Sequence, residues 1–442
     1  CTPSRYSLLT GLYVRQHMGW TNHCTLPPAL PTFPRILRAA GYRTAAVGKM
    51  HFTPTYLDVG FDEMRLAEQD GPGRFDDDYH RYLREHQLVD RIDLIDQRSE
   101  YRKGASQAYW DCFGAAESDL PEEHHSTTWT GDRAVEAVRQ WQGGGNFLMV
   151  GFVKPHHPFD PPAPWSRMYA PEAVTMPPGW TAESLPGDVD FHEGYFPNAS
   201  LTEPALRKIM AMYYATISQI DHHVGRILDL LAERGLYDDT MIVYTADHGD
   251  YMGFHHMILK GGLMYDPLVK VPLIVRYPGG SSAAASSDAL VSNLDLAPTI
   301  LARAGCEPAE TMAGLDLAAT PEGRELIFAE GWRSRQYMVR SRTRKLLLCR
   351  EGRHDRFFDL SADPLEMEDL FRRGDRRREI EALKQRLLRW SLHEAVTPTY
   401  LDEYAATIDA PNDRSPATGG REEMIEYLRQ EMERPHADPF AP

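Results

Sequence analysis

The sequence predicts an α/β fold with a largely parallel central sheet, and three observations predict it. Short apolar runs stop at chemically capable residues: Thr44 to Val47 before Gly48-Lys49, Phe147 to Val153 before Lys154-Pro155-His156, and Met241 to Thr245 before Asp247-His248. Such runs read as buried parallel strands that deliver side chains at their carboxyl ends. Helical patterns alternate with them, Phe33 to Ala40 closed by Gly41 and Asp132 to Trp141 closed by Gly143, and that alternation defines the class. The longest pattern runs from about Glu203 to Arg234, with Leu206, Ile209, Met210, Tyr213, Ile217, Ile220, Val224, Ile227, Leu228 and Leu231 on one repeating face and Gly235 as its stop. It reads as a core helix packed on the sheet, with His222 and His223 on its polar side.

From Thr53 to about Thr130 the chain turns polar and aromatic without a strong period, and reads as an insertion over the rim of the active site. After Pro278 come an Ala/Ser-rich turn, a helix from Asp295 to Ala304, strand-like runs Leu326 to Ala329 and Lys345 to Cys349, and a charged helix from Arg378 to Trp390. The expected organisation is a catalytic domain over 1–310, a smaller C-terminal α+β domain over 311–395 and a tail over 396–442. The tail is irregular apart from a short helix near Arg421 to Glu433; it reads as wrapping a neighbouring subunit or as partly mobile, and a homo-oligomer is expected.

The chain of 442 residues is 42% hydrophobic, ample for a large core. Lys and Arg total 48 against 64 Asp and Glu, a formal charge of −16. This argues against a broad nucleic-acid or anionic-membrane surface, so an anionic substrate must be held by a local basic cluster. The apolar runs are too short to span a bilayer. Five cysteines, at 1, 24, 112, 306 and 349, have no metal-ligand spacing and form no complete disulfide framework, which favours a reducing, cytoplasmic setting. The chain opens inside a motif, so an upstream segment is expected, and a signal peptide within it is compatible with the sequence.

Four ordered elements carry the chemistry. The first is Cys1-Thr2-Pro3-Ser4-Arg5 followed by Leu9-Thr10-Gly11; the second is Gly48-Lys49-Met50-His51; the third is Lys154-Pro155-His156-His157-Pro158. The fourth is Asp247-His248-Gly249-Asp250 with Gly253-Phe254-His255, Lys260 and the strand Val271-Pro272-Leu273-Ile274. A carboxylate and an imidazole side by side suit a divalent cation, a lysine beside a histidine suits charge and proton handling, and a guanidinium one turn after a nucleophile suits an oxyanion.

Together these elements resemble the sulfatase family, through its CxPSR, LTG, GKxH, PHxP and DHG-to-VPLI patterns, and the resemblance extends to Phe358-Asp359-Leu360 and Asp363-Pro364. It implies an alkaline-phosphatase-like sandwich and hydrolysis of a sulfate monoester to an alcohol and inorganic sulfate. It further implies that Cys1 is oxidised to formylglycine by a formylglycine-generating enzyme, its hydrate attacking sulfur with one hydroxyl and expelling sulfate through the other. In this reading Arg5, Lys49 and Lys260 stabilise charge, His51 takes the proton from the second hydroxyl, and His156 protonates the leaving oxygen. Lys154 contacts the substrate, and Cys1, Asp247 and His248 face one divalent metal, calcium first and manganese or another divalent ion second. His157 and His255 read as structural supports and Asp250 as a metal-loop or turn residue. The family also places an acidic pair on a strand upstream of the cysteine, so a first strand ahead of Cys1 is expected.

The expected partner is a small-molecule or carbohydrate sulfate ester. A phosphodiesterase or phosphonate monoester hydrolase of the same superfamily is the nearest rival, because both ester types are tetrahedral and anionic. A metal-free binding protein of the same fold is another rival. An amidase using Cys1 as an N-terminal nucleophile leaves the Lys49, His156 and Asp247 elements without a shared purpose.

Overall fold

In the computed structural model, residues 1–69, 71, 73–188, 194–280, 285–397 and 420–440 are described. The longer helices are α1 (Thr2–Thr10), α2 (Ser126–Arg139), α3 (Glu203–Glu233), α4 (Leu296–Arg303), α5 (Arg377–Arg389) and α6 (Gly420–Glu433). The strands are β1 (Arg43–Gly48), β2 (Glu63–Leu66), β3 (Asn146–Gly151), β4 (Ile242–Thr245), β5 (Leu273–Arg276), β6 (Ile327–Glu330), β7 (Gln336–Arg340), β8 (Arg344–Cys349) and β9 (Arg356–Asp359). Contacts group the chain into two units, one of Cys1–Ala40, Pro177–Ala199 and Met241–Pro411, the other of Gly41–Met176, Ser200–Thr240 and Asn412–Pro442.

In the second unit a parallel sheet runs in the order β2-β1-β3, with Ala45 opposite both Glu63 and Leu148. The small side chains Thr44, Ala45 and Ala46 are buried, which lets α2 lie close to β1 and β3. Helix α3 packs along α2, and a Cβ at Gly131 of α2 would sit 2.4 Å from the His223 ring. His223 is therefore buried rather than on the polar face that the sequence suggests, while His222 is exposed. Pro204 near the α3 start and the Thr202 hydroxyl accepting from the Ala205 amide begin this helix.

The segment from Thr53 to Thr130 departs from its irregular reading. It contributes β2 and a series of short helices, Gly73–Asp76, Asp78–Glu85, Arg91–Gln97, Ser99–Arg102 and Gln107–Asp111. Asp77, Asp90 and Ser106 cap three of them by accepting from His80, Asp93 and Tyr109 amides. Helices of four to eight residues are too short to leave a sustained period, so only their caps mark them.

In the first unit β4 pairs antiparallel with β5, and β6-β7-β8-β9 form an antiparallel meander. Val339, Leu346 and Phe357 face Ile380, Leu387 and Trp390 from α5 and the residue after it. Their neighbours Met338, Leu347 and Phe358 face Tyr251, Phe254, Met257, Leu263 and Tyr265. This period of two buries both faces of the meander, so its inner face backs the loop that runs from Asp250 to Lys260. Strand β7 leaves little sequence signal, because its five residues begin with Gln336 and end with Arg340. The tail residues 398–419, expected to wrap or move, lie outside the described residues. No described helix is long and apolar enough to cross a membrane.

Candidate active site

Helix α1 begins at the reactive end of the chain. Pro3 sits in its first turn and Gly11, in the left-handed region at φ 64°, closes it by donating to the Ser7 carbonyl. Asn22 holds the start, its Oδ1 accepting from the Thr2 amide at 3.3 Å and the Cys1 nitrogen at 3.4 Å. Asn293 holds the next turn, donating to the Ser4 carbonyl and, at 2.7 Å, to its hydroxyl. Neither asparagine belongs to a motif the sequence singled out, and no local signal marks either, because each acts across the chain.

The fourth motif follows β4 directly, so the strand hands Asp247 and His248 to its carboxyl end. Arg5 Nε donates to Asp247 Oδ2 at 2.8 Å. The other Asp247 oxygen lies 3.8 Å from His248 Nε2, which is itself 3.0 Å from the Cys1 sulfur. His248 Nδ1 is 2.9 Å from the Gly249 carbonyl; a carbonyl accepts only, so the proton is on Nδ1 and the Nε2 lone pair faces Cys1. Burial above all pushes the His248 pKa down to about 4, with the Asp247 carboxylate opposing and the Lys260 ammonium reinforcing. A neutral imidazole is what a cation requires.

Ligand atoms of Cys1, Asp247 and His248 lie within 4.8 Å of one another, the one such triad among the described residues. A carboxylate oxygen, an imidazole nitrogen and the side chain of residue 1 make a donor set that suits a divalent cation, and Arg5 leaves one Asp247 oxygen facing it. The loop is set by sterics as well. Gly249 donates to the Leu268 carbonyl at 2.8 Å, and a Cβ there would lie 1.9 Å from the Pro267 oxygen. Asp250 accepts from the Met252 amide at 2.9 Å, and burial raises its pKa to about 6. His255 is buried between the Asp188 carboxylate and the Leu365 carbonyl, a support for the loop.

In the second unit the other two motifs leave neighbouring parallel strands. Gly48 and Gly151 are opposite each other at the ends of β1 and β3, and a Cβ on either would come within 2.1 Å of a backbone oxygen across the pair. Lys49 and His51 follow β1, and His51 takes a left-handed φ of 59°. Glu68 fixes this turn, its Oε1 accepting from the Met50 and His51 amides at 2.9 and 2.8 Å. Like the asparagines, Glu68 carries no sequence signal.

His156 and Lys154 follow β3. His156 Nδ1 is 2.7 Å from the His157 carbonyl, which fixes its proton on that nitrogen. Lys154, expected to contact the substrate, is 3% exposed, pairs with Asp160, lies 3.9 Å from Asp93 and donates to the Pro158 carbonyl. A lysine so engaged holds the loop. His157 is buried and paired with Asp96, as a support should be.

Residues 1–306 match the family model for Sulfatase, and residues 254–393 match that for the N-sulphoglucosamine sulphohydrolase C-terminal region. An arylsulfatase of Clostridium perfringens is 26% identical over 88% of this chain and 84% of its own length. The uncharacterized sulfatase YidJ of Escherichia coli is 31% identical over 74% of this chain and 63% of its own. The multifunctional alkaline phosphatase superfamily protein PehA of Trinickia caryophylli is 28% identical over 72% and 66%. Among solved structures, the phosphonate monoester hydrolase of Agrobacterium radiobacter superposes with a TM-score of 0.70 at 23% identity, covering 92% of this chain and 87% of that one. A protein in complex with its substrate D-glucosamine-2-N,6-O-disulfate gives 0.67 at 20%, covering 93% and 90%. At these identities the two structures speak for the fold, an alkaline-phosphatase-like sandwich.

Proposed function

Because this chain belongs to the sulfatase family, whose members are sulfuric ester hydrolases, we propose that it hydrolyses a sulfate monoester carried on a sugar, using residue 1 as the nucleophile and calcium as the metal. The single observation behind this reading is the meeting of Cys1, Arg5, Asp247 and His248. The family implies a divalent metal and formylglycine in general terms. Oxidised by a formylglycine-generating enzyme, residue 1 supplies a hydrated aldehyde, and a bound divalent cation supplies Lewis acidity beside it.

The chain's own residues do the rest. Asp247 and His248 hold the cation; the carboxylate oxygen suits calcium and manganese alike, the imidazole suits a transition ion better, and calcium is taken first on the family resemblance. Arg5 orients Asp247 and keeps positive charge one turn from the reacting centre, where the amino end of α1 also favours an anion. Lys260 adds a second cation on the same unit. Lys49, His51 and His156 are assigned to charge and proton handling on the strength of their motifs and loop positions after β1 and β3. His156, with its proton on Nδ1, donates to the leaving oxygen from Nε2 once protonated, and His51 accepts a proton when sulfate departs.

The sugar assignment is supported by the N-acetylglucosamine-6-O-sulfatase of Bacteroides thetaiotaomicron, 25% identical over 87% of this chain. The relationship to PehA keeps an ester of phosphorus as the second reading. Two measurements test the proposal. Mass spectrometry of the peptide holding Cys1, from protein co-produced with the maturing enzyme, should find the aldehyde in place of the thiol. Turnover of an aryl sulfate should exceed that of an aryl phosphodiester; the reverse ranking would transfer the chain to the second reading.

A further inference from the structure

The loop from Tyr251 to Lys260 is held against the preference of its own backbone. Met252, His255, His256 and Leu259 take left-handed φ values of 44°, 51°, 62° and 65°, and Gly253 is the one glycine among them. Residues with side chains keep such angles only where their surroundings fix them. Three backbone hydrogen bonds close the loop on itself. The Tyr251 amide donates to the Leu259 carbonyl at 2.8 Å, that of Gly253 to Met257 at 2.7 Å and that of His256 to Gly253 at 3.0 Å. The first of these returns the chain to Asp250, so the Lys260 ammonium is close enough to act on the charge of both Asp250 and His248.

His255 is the hub of this loop. It is fully buried, and its amide donates to the Gly179 carbonyl at 2.9 Å. Its ring stacks on Phe254 at 4.0 Å and meets the edge of Tyr265 at 4.6 Å. The two ring nitrogens reach two other segments, Nδ1 lying 3.2 Å from Asp188 Oδ2 and Nε2 2.9 Å from the Leu365 carbonyl. A carbonyl and a carboxylate only accept, whereas a neutral imidazole has a single N–H to give. The ring satisfies both neighbours when it carries two protons.

The groups around it fit that state. Asp188 Oδ1 accepts from the Tyr265 hydroxyl at 2.9 Å and lies 3.9 Å from Arg356, partners suited to a carboxylate. Burial holds the Tyr251 and Tyr265 hydroxyls well above their ordinary range, so neither exchanges charge with the ring. Glu366, next to Leu365, is paired with Lys345 at 2.7 Å.

We infer that His255 is the positioning residue of this loop and works as an imidazolium, joining Asp188 to the Leu365 turn and fixing the left-handed path that leads to Lys260. When one ring proton leaves to solvent, one of the two acceptors loses its donor and the path slackens. Sulfate-ester turnover therefore falls as the pH rises through the loss of that proton. The inference rests on the sulfatase reading, in which Lys260 stabilises charge, and adds a pH-sensitive support to it.

The test uses the matured full chain labelled with 15N-histidine, the His255 signals being those lost in His255→Gln. Both ring nitrogens should bear protons in mildly acidic buffer. One proton should leave over the same pH step in which kcat for 4-nitrophenyl sulfate declines with KM little changed. His255→Gln should lower kcat about tenfold and remove that step. Asp188→Asn presents an amide donor to Nδ1, so a neutral ring with its proton on Nε2 satisfies both neighbours. This variant should keep more activity than His255→Gln and lose the alkaline decline, whereas a histidine that only fills space would leave the profile as in wild type. A wild-type ring with one proton throughout, or an unchanged profile in Asp188→Asn at an unchanged melting temperature, overturns the inference and leaves the sulfatase reading intact. Failure to hydrolyse any sulfate ester with the aldehyde present defeats the sulfatase reading, while the nitrogen spectrum still decides the imidazolium.

Discussion

The Cys1 sulfur lies 3.0 Å from Nε2 of His248, although 247 positions separate the two residues. That contact joins the amino end of α1 to the carboxyl end of β4, and the Arg5–Asp247 pair braces it one turn further along. Two independent tethers of this kind make residue 1 a fixed group, which is what a nucleophile requires.

Replacing Cys1 with Ala should lower sulfate-ester turnover by ~10³-fold or more while the fold persists, because a lost nucleophile has no substitute. Steady-state kinetics with circular dichroism on the same preparation checks it. Cys1→Ser should be comparably impaired where serine is not oxidised to the aldehyde. Retained turnover in the alanine variant would defeat the mechanism.

Asp247→Asn and His248→Ala should each reduce bound divalent metal, measured by elemental analysis after gel filtration. Arg5→Lys keeps the charge but loses the directional Nε donor to Asp247, so it should keep most of the metal and lose activity. Equal metal content in all four proteins would remove Asp247 and His248 from the ligand set.

These residues were legible because each belongs to a short local pattern, Cys1 and Arg5 in the opening motif and Asp247 and His248 at the end of an apolar run. Asn22, Asn293 and Glu68 were not, since each receives or gives its hydrogen bonds across a stretch that no local window spans: Asn293 reaches Ser4 over 289 positions. Lys154 shows the opposite limit. It stands inside a motif, and only burial beside Asp160 and Asp93 reveals that its ammonium is occupied. The parallel strands β1 and β3 and helix α3 were legible from their apolar patterns, but β2 was not, and Met241 to Thr245, expected to be parallel, pairs antiparallel with β5 because the chain returns directly alongside it. The short helices between Gly73 and Asp111 are held by caps and packing rather than by an amphipathic repeat.

Gly48→Ala should destabilise the protein by about 1–3 kcal/mol or more, because the added Cβ would meet the Gly151 oxygen at 2.1 Å in a backbone at φ 84°. Urea denaturation at fixed pH measures this. A loss under ~0.5 kcal/mol would mean that the β1 and β3 ends separate easily, and then Lys49 and His51 would not be rigidly delivered.

Stability should also depend on pH through Glu330. Burial raises its pKa from 4.5 to about 7, while the Arg15 amide, donating at 2.8 Å, pulls the other way. A carboxyl with a folded-state value above its unfolded one binds the proton more tightly when folded. Its contribution is therefore fully present below about pH 4.5 and is lost as the pH rises towards 7, by an amount on the order of 2–3 kcal/mol at most. Glu330→Gln should flatten this limb of the stability curve. Unchanged slopes between pH 5 and 8 in wild type and variant would show that the carboxyl is not protonated in the folded state.

The last prediction concerns the ion network behind the metal loop. Lys345, fully buried on β8, pairs with Asp266 at 2.9 Å and Glu366 at 2.7 Å, and Arg340 reaches the second Asp266 oxygen at 2.9 Å. Glu366 also accepts from the Asp266 amide, at the start of the turn whose Leu268 carbonyl holds Gly249. Removing the lysine strands the wholly buried Glu366 and leaves Asp266 with Arg340 alone, so Lys345→Met should cost about 3–5 kcal/mol. Glu366→Gln keeps an acceptor for the Asp266 amide and removes one stranded charge, so the double variant should recover part of the loss. A double-mutant cycle by chemical denaturation reads the coupling directly. If the two losses simply add, the network is not a unit, and the connection from the C-terminal sheet to Gly249 must run through apolar packing of Met338, Leu347 and Phe358 instead.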